Sequence, residues 1–378
     1  MIFIIYSIAI LSISLLTIDL ILISIPKSKL EIIPINYELN PNKFKIEFKI
    51  INKSKRKETM VPTLDINLNY LENESLISIF NTKEIIIEDK SFRKEYKGSW
   101  KTTIIKANSY IKVSLIIKPK KEIFNKSIWL SLNWSNYGHF GLINKRNSFL
   151  LNNCDVNLNT RELIKISSNK GFETIAIKTS LLGIFDEPYK TISKYCKDIV
   201  KKGDILVIGE TPLAIMQGRY IDPLNIRYTP FAKLLCYFFH PTSSLATACG
   251  MQLLINKIGI SRIIFALIIG IIFKILNING MFYRLTGVES SLIDDISGTT
   301  FPYDKSIVMG PIKTKIFCEN MSRILGIDVA VADVNDLGKV KILSSSNKSI
   351  EKLLEKKLLN NPAGNDDQKT PIVLIRKI

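Results

Sequence analysis

The segment Lys43–Ile50 alternates without exception. Phe44, Ile46, Phe48 and Ile50 fall on one side, and Lys43, Lys45, Glu47 and Lys49 on the other. Only an extended chain, whose side chains repeat every two residues, sorts them this way, so a half-buried strand is predicted. The pattern recurs at Ile66/Leu68/Tyr70, Ile111/Val113/Leu115/Ile117 and Ile128/Leu130/Leu132/Trp134. Turn-like stretches at Asn52–Lys57, Asn73–Ser75, Lys106–Ser109 and Lys118–Lys121 separate these segments. Strands with one apolar face at this spacing bury that face by packing sheet on sheet. Residues 30–153 are therefore expected to form an antiparallel β-sandwich-like domain. It carries no catalytic constellation. Lys53, Lys55, Arg56 and Lys57 read first as a solvated turn, with contact to anionic lipid as the alternative, and His139 reads as structural.

Met1–Ile25 has a different character: ten Ile, five Leu and one charge, Asp19. A helix of about 20 apolar residues crosses a hydrocarbon core of about 30 Å. Asp19 costs about 3 kcal/mol at most, and the Ile and Leu residues, at about −0.5 kcal/mol each, outweigh it. No basic n-region or small-residue cleavage site precedes Pro26, so the run is expected to be an uncleaved anchor, a single transmembrane helix over residues 1–25. Lys27 and Lys29 follow at once, and positive-inside bias places the bulk of the chain in the cytoplasm. Five scattered cysteines (Cys154, Cys196, Cys236, Cys249 and Cys318) without C-x-x-C spacing suit a reducing compartment. Cys236, His240 and Cys249 lack an evident fourth zinc ligand, and the two cysteines read as buried thiols.

From about residue 160 to 378 strand and helix patterns mix, across an Asn-rich boundary (Asn152, Asn153, Asn157, Asn159) expected to divide two separable domains. Thr174–Thr179 reads as a strand, Tyr189–Val200 as a helix, and Ile205–Ile208 as a buried strand running into Gly209-Glu210-Thr211. Ile350–Leu359 reads as a basic amphipathic surface helix. Ile263–Phe273 is an apolar run bounded by Arg262 and Lys274, too short to span; a core helix and a helix resting on a bilayer surface both fit. Acidic residues of this basic chain gather between Ser291 and Gly338: Asp294, Asp295, Asp304, Asp328, Asp333 and Asp336. Hard divalent cations take such oxygen ligands. Cys249, in Thr247–Met251, has no neighbouring His to activate it as a nucleophile.

The run K-K-G-D-I-L-V-I-G-E-T-P-L-A-I-M-Q-G-R (Lys201–Arg219) resembles the start of the gamma-glutamyl ligase family that adds glutamate to the deazaflavin coenzyme F-420. Asp294–Pro302 is similar to that family's S-D-[ST]-F-G-R-P-W motif, Ile307–Gly310 to an apolar strand ending in glycine, and Pro371–Arg376 to its last strand. The resemblance covers roughly Leu163 to Ile378, the C-terminal half only. It implies a mixed α/β ligase-like domain, and with the rest of the chain a membrane-anchored α+β protein. Glu210, Thr211, Gly218 and Arg219 would bind nucleotide (GTP as co-substrate), and Asp295, with Asp294 and Asp304, would hold Mg or Mn. The family's two loop lysines fall on Thr211 and Ile215, and its motif arginine on Thr299. The implied reaction joins a small-molecule carboxylate to an amino acid through an acyl phosphate, and the resemblance leaves a homodimer open. A non-catalytic, membrane-anchored binding or scaffold protein on the same fold is the alternative. Lys+Arg of 52 against Asp+Glu of 34 gives a net charge of +18, which favours an anionic partner. No nucleic-acid motif accompanies it, so nucleic acid is not expected. Fusing a cytoplasm-only reporter after Asn153 is expected to give signal in membrane-bound chains; a silent, stably expressed fusion would reverse the orientation.

Overall fold

The computed structural model describes residues 28–72, 75–78, 83–89, 94–118, 126–138, 140–152, 161–169, 171–241, 243–278, 280–287, 290, 292–296, 300–335, 339–364 and 368–378. It also describes residues 6, 10, 14 and 17, all helical. Ser14 and Thr17 donate their hydroxyls to the carbonyls of Ile10 and Ser14 at 2.8 and 2.7 Å. The remainder of the expected 1–25 anchor lies outside the described residues, as do Cys154, Gly298, Thr299 and Asp336.

The alternating segments form two antiparallel sheets. One orders β1 (Leu30–Asn40), β2 (Lys43–Asn52), β9 (Ser109–Ile117), β6 (Lys83–Asp89) and β7 (Lys94–Gly98). The other orders β5 (Ser75–Ser78), β4 (Leu64–Glu72), β10 (Ile128–Gly138), β3 (Thr59–Val61) and β8 (Thr103–Ile105), with β11 (Gly141–Leu151) on the opposite edge of β10. Phe44, Ile46, Phe48 and Ile50 of β2 face Ile66, Leu68, Leu130, Leu132 and Trp134 in one core. Each inward residue is an apolar member of the two-residue pattern, so the pattern alone orients the strands.

The second region centres on a mixed six-stranded sheet. Its order is β12 (Glu162–Asn169), β13 (Phe172–Lys178), β20 (Ile372–Lys377), β14 (Ile205–Gly209), β18 (Asp328–Asn335) and β19 (Lys339–Ser345). Among these strands only β14 and β18 pair in parallel, Ile205 opposite Asp328 through Gly209 opposite Ala332. Both strands are buried on two faces, which is why β14 reads as an unbroken apolar run. Leu206, Ile208, Val329 and Val331 pack under α1 (Pro188–Cys196) and α7 (Thr314–Leu325). Ile205, Val207 and Ala330 pack on α8 (Glu351–Lys357) and its flanks through Ile350, Leu354 and Leu358. The expected surface helix there thus buries its apolar stripe and leaves Lys352 and Lys356 exposed. α1 begins where Glu187 accepts hydrogen bonds from the Tyr189 and Lys190 amides ahead of Pro188.

Between α2 (Glu210–Met216) and β18 the chain builds a three-stranded sheet and a helical lobe. The sheet orders β15 (Tyr220–Ile221), β17 (Ile307–Met309) and β16 (Ile293–Asp294); the lobe holds α3 (Pro230–Cys236), α4 (Ala248–Ile258), α5 (Ile260–Ile275) and α6 (Met281–Thr286). Leu235, Leu245, Met251, Leu254, Ile263 and Phe282 form the lobe's own core. Among the described residues no single helix is long and apolar enough to cross a membrane. α4 and α5 pass that test only together, across a bend of 111°.

Sandwich and mixed-sheet regions meet in an apolar cluster of Trp129, Leu150, Ala214, Ile215, Tyr303 and Val308. Trp129 meets the edge of Tyr303 at 5.1 Å between ring centroids. Polar contacts ring the cluster. Tyr220 donates to the Ser148 carbonyl (2.9 Å), and the Asn152 amide donates to the Leu181 carbonyl (2.7 Å). Asn225 and Arg146 exchange hydrogen bonds at 2.6 and 2.9 Å. This interface couples the stability of two regions that the sequence suggests are separable. Trp129→Ala is expected to cost about 3 kcal/mol in urea denaturation, lowering both regions in one transition. Two transitions, with the mixed-sheet region unaffected, would show that they fold independently.

Candidate functional site

A cleft of about 240 Å³ opens at the carboxyl ends of β14 and β18. Ligands of open α/β sheets gather at such edges, because the loops leaving the strands diverge there. Its walls come from segments far apart in the chain: Thr179–Leu182, Gly209–Pro212, Thr300 and Tyr303, Ala332–Val334, and Asn361–Gly364 with Lys369–Pro371. The parallel register sets Gly209 beside Ala332, so Glu210 and Asp333 follow as neighbours on the lip.

Glu210 opens α2 and is only 7% exposed. Burial, and then the charges of Asp333 and Asp294, push its carboxyl up to about 9, with Lys341 opposing. Glu210 is therefore protonated near neutral pH and can donate a hydrogen bond. Asp294 accepts one from the Thr211 hydroxyl at 3.1 Å. Burial raises Asp294 to about 6 against the pull of Thr211, and Asp333 adds to the rise. Burial also raises Asp333. Glycine at position 310 leaves room for this packing, since a Cβ there would lie 2.6 Å from Leu292 Cβ and 3.2 Å from Glu210 Oε1.

The structure divides the residues singled out in the sequence. Glu210 and Thr211 line the cleft, and Asp294 stands behind Thr211. Gly218 and Arg219 do not line it. Gly218 takes φ +67° against Ile184, and Arg219 donates to the Gly310 carbonyl at 2.8 Å, bracing the α2–β15 turn. Gln217 pairs reciprocally with Ile312, through its amide to the Ile312 carbonyl (3.0 Å) and its oxygen to the Ile312 amide (2.8 Å). Asp295 turns away: its carboxylate accepts from the Ile296 amide at 2.8 Å, and its charge reaches Cys249. Asp294 is the second residue of β16 and shares the carboxylate group with Glu210 and Asp333, whereas Asp295 follows the end of that strand. Asp304 lies outside the cleft lining and keeps a buried Oδ1 without a hydrogen-bond partner. Burial, then Asp295, raises the Cys249 thiol, the wrong direction for a nucleophile. Cys236 donates its thiol to the Lys233 carbonyl at 3.1 Å, as the buried reading expects.

Among the described residues no three His, Cys, Asp or Glu side chains are arranged to hold a metal ion. Magnesium is nonetheless commonly held by one or two carboxylates plus substrate phosphates and water. Glu210, Asp294 and Asp333 are crowded together without forming such a metal-holding group. Lys369, the one cationic side chain in the described lining, was not legible as a site residue. It stands in a polar loop before the last strand, a placement that any surface lysine shares.

Fold and cleft define a two-part molecule: an Ig-like sandwich buttressing a mixed sheet with a carboxylate-lined cleft. The family described as F420-0:gamma-glutamyl ligase, N-terminal Ig-like domain, matches residues 31–154, about a third of the chain. This match supports a ligase-like relative, and it stops before the half in which the motif resemblance lies. No curated protein matches the chain in sequence. An uncharacterized β-sandwich protein from Clostridium difficile is similar at 19% identity and TM-score 0.20, over 29% of this chain and 81% of that one. A family 123 glycoside hydrolase from Clostridium perfringens is similar at 15% identity and TM-score 0.21, over 29% and 21%. The GAE domain of yeast GGA1 is similar at 10% identity and TM-score 0.20, over 34% and 96%.

The raised carboxyl of Glu210 sets the sign of a pH effect. Its folded value, about 9, exceeds the ordinary 4.5, so between these values the unfolded chain has released a proton that the folded chain keeps. Stability from this group is then greatest below about 4.5 and falls as pH rises toward 9. Glu210→Gln removes the titration, so the variant is expected to gain on the parent in thermal melts as pH rises from about 5 to 8. A constant difference across that range would mean that Glu210 titrates normally.

Proposed function

We propose that this chain is a membrane-tethered, divergent gamma-glutamyl ligase-like enzyme that joins a carboxylate to an amino acid at the expense of a nucleoside triphosphate. One observation carries the reading: Glu210, Asp294 and Asp333, from three separate segments, converge beside a cleft at the carboxyl edge of the β14/β18 pair. The match of residues 31–154 to a domain of that ligase family adds independent support.

In the reaction class implied, a carboxylate oxygen bonds to the γ-phosphorus and the nucleoside diphosphate leaves. The amine nitrogen then bonds to the acyl carbon and gives up a proton, and phosphate departs with the C–O electron pair and can carry that proton away. A divalent cation, when bound with the nucleotide, would neutralise phosphate charge. Asp294 and Asp333 would hold it, with Glu210 beside them. Lys369 would meet a phosphate from the opposite wall, and protonated Glu210 would donate to a phosphate or carboxylate oxygen without adding negative charge. Thr179, Ser180 and Thr370 supply further polar groups to the walls.

The scaffold reading draws on one observation of its own. Ile215, where the resemblance expects a lysine, is buried against Trp129 and Tyr303 in the interface, and Thr211 supplies no charge. Titration of manganese with GTP separates the two readings. The parent chain is expected to bind, Asp294→Asn to bind about tenfold more weakly, and Asp295→Asn to match the parent, because an amide offers a cation a dipole in place of a full charge. A parent chain that binds neither ligand at millimolar concentration would leave the scaffold reading standing. Equal loss in both aspartate variants would return the ligand to Asp295.

A further inference from the structure

The lobe carries a helix that its own core covers on one side only. α5 spans 16 residues, about 24 Å at 1.5 Å per residue, and between Arg262 and Lys274 carries only apolar side chains and glycine. Ile263 and Ala266 are fully buried, and Gly270 admits Phe282 so closely that a Cβ would lie 3.2 Å from Phe282 Cβ. The other side presents Ile264, Phe265, Ile268, Ile271, Ile272 and Ile275 to solvent, with Phe265 at 58%, Ile268 at 53% and Ile275 at 77% exposure. Leu276 and Ile278 continue that surface past the helix end. A soluble helix normally turns a polar face outward, and a contiguous apolar face of this length marks an interaction surface.

Charge selects the occupant. Residues 223–288 contain Arg227, Lys233, Lys257, Arg262, Lys274 and Arg284, and no Asp or Glu. Arg262 stands at the first turn of α5 and donates to the Leu285 carbonyl at 3.0 and 2.8 Å; Lys274 stands exposed in the last turn. Arg284 closes the neighbouring α6. An apolar face framed by cations, in a stretch of sequence without Asp or Glu, matches the boundary between anionic headgroups and acyl chains. A second protein copy would bring the same positive charges against these.

We propose that the outward face of α5 lies in the headgroup–acyl boundary of an anionic bilayer, a second membrane contact distinct from the N-terminal apolar run. α5 is then parallel to the membrane, buried to the depth of its outward side chains, while Ile263 and Ala266 stay in the protein core. The proposal does not depend on the ligase reading.

The test uses the full chain in vesicles, with Phe265→Trp or, separately, Ile268→Trp read as difference emission against the parent. Both sites are exposed, so tryptophan is accommodated, and Leu142→Trp on the sandwich, 60% exposed, is the control. Both α5 probes are expected to shift to shorter wavelength and lose intensity to lipids brominated near the headgroup. The loss should be greater in vesicles containing phosphatidylglycerol than in phosphatidylcholine alone, and the control should stay unquenched. Three outcomes overturn the proposal: α5 probes quenched no more than the control, strongest quenching by bromines at the bilayer centre, or equal quenching in neutral and anionic vesicles. A blue shift without quenching overturns it in favour of a second copy of the chain. A chain that floats with vesicles while its α5 probes stay dark to bromine would retain the N-terminal anchor and lose this contact. A chain that does not float at all would lose both.

Discussion

The parallel pairing of β14 with β18 is the constraint on which the rest of the second region depends. Parallel neighbours need a long crossover, and here the crossover holds the helical lobe, the small sheet and α7. With both faces of the pair covered, its middle is apolar and charge stands at its ends: Asp204 and Asp328 at the amino edge, the first paired with Arg376, and Glu210 and Asp333 at the carboxyl edge. There the register sets Glu210 and Asp333 side by side, and β16 brings Asp294 to the same place. Two of the three would repel in water only weakly; desolvated, they compete for protons, and Glu210 keeps one. At the amino edge Asp204 is neutralised by Arg376, whereas at the carboxyl edge three carboxylates crowd one another, so the load collects there.

The sandwich contributes by contact rather than by chemistry. Its Trp129 and Leu150 back Tyr303 and Ile215, and both of these also line the cleft. Tyr303 is fully buried, with its hydroxyl donating to the Leu182 carbonyl at 3.0 Å, so one ring belongs to the interface and the cleft floor at once. Loss of packing at that ring would reach the site without touching any polar group. Such packing couples the sandwich physically to the cleft of its neighbour.

Hydrophobic burial is uneven across the molecule. The sandwich and the mixed sheet close their cores, whereas the lobe leaves an apolar face of α5 uncovered. That imbalance coincides with the longest stretch lacking acidic residues. Both features fit a lobe facing lipid, with the cleft framed by the remaining elements.

Local periodicity determined a good deal by itself. Alternation fixed which face of β2, β9 and β10 turns inward, because the period of two allows no other sorting. The apolar run of β14, the helix at α1 and the last strand were likewise legible, since burial and capping act over a few residues. Glu210 and Thr211, implied as binding residues by the family resemblance, both line the cleft. Asp294 could not be told from Asp295, because two adjacent carboxylates look alike until a strand places the first beside Glu210 and ends before the second. Gly218 and Arg219, which the family resemblance implies as binding residues, lie outside the cleft lining, and Lys369, which the sequence did not single out, lies within it. Tertiary structure alone decided the partnership of Glu210, Asp294 and Asp333. Proximity across more than a hundred residues depends on strand register and crossover, and neither leaves a trace in local sequence.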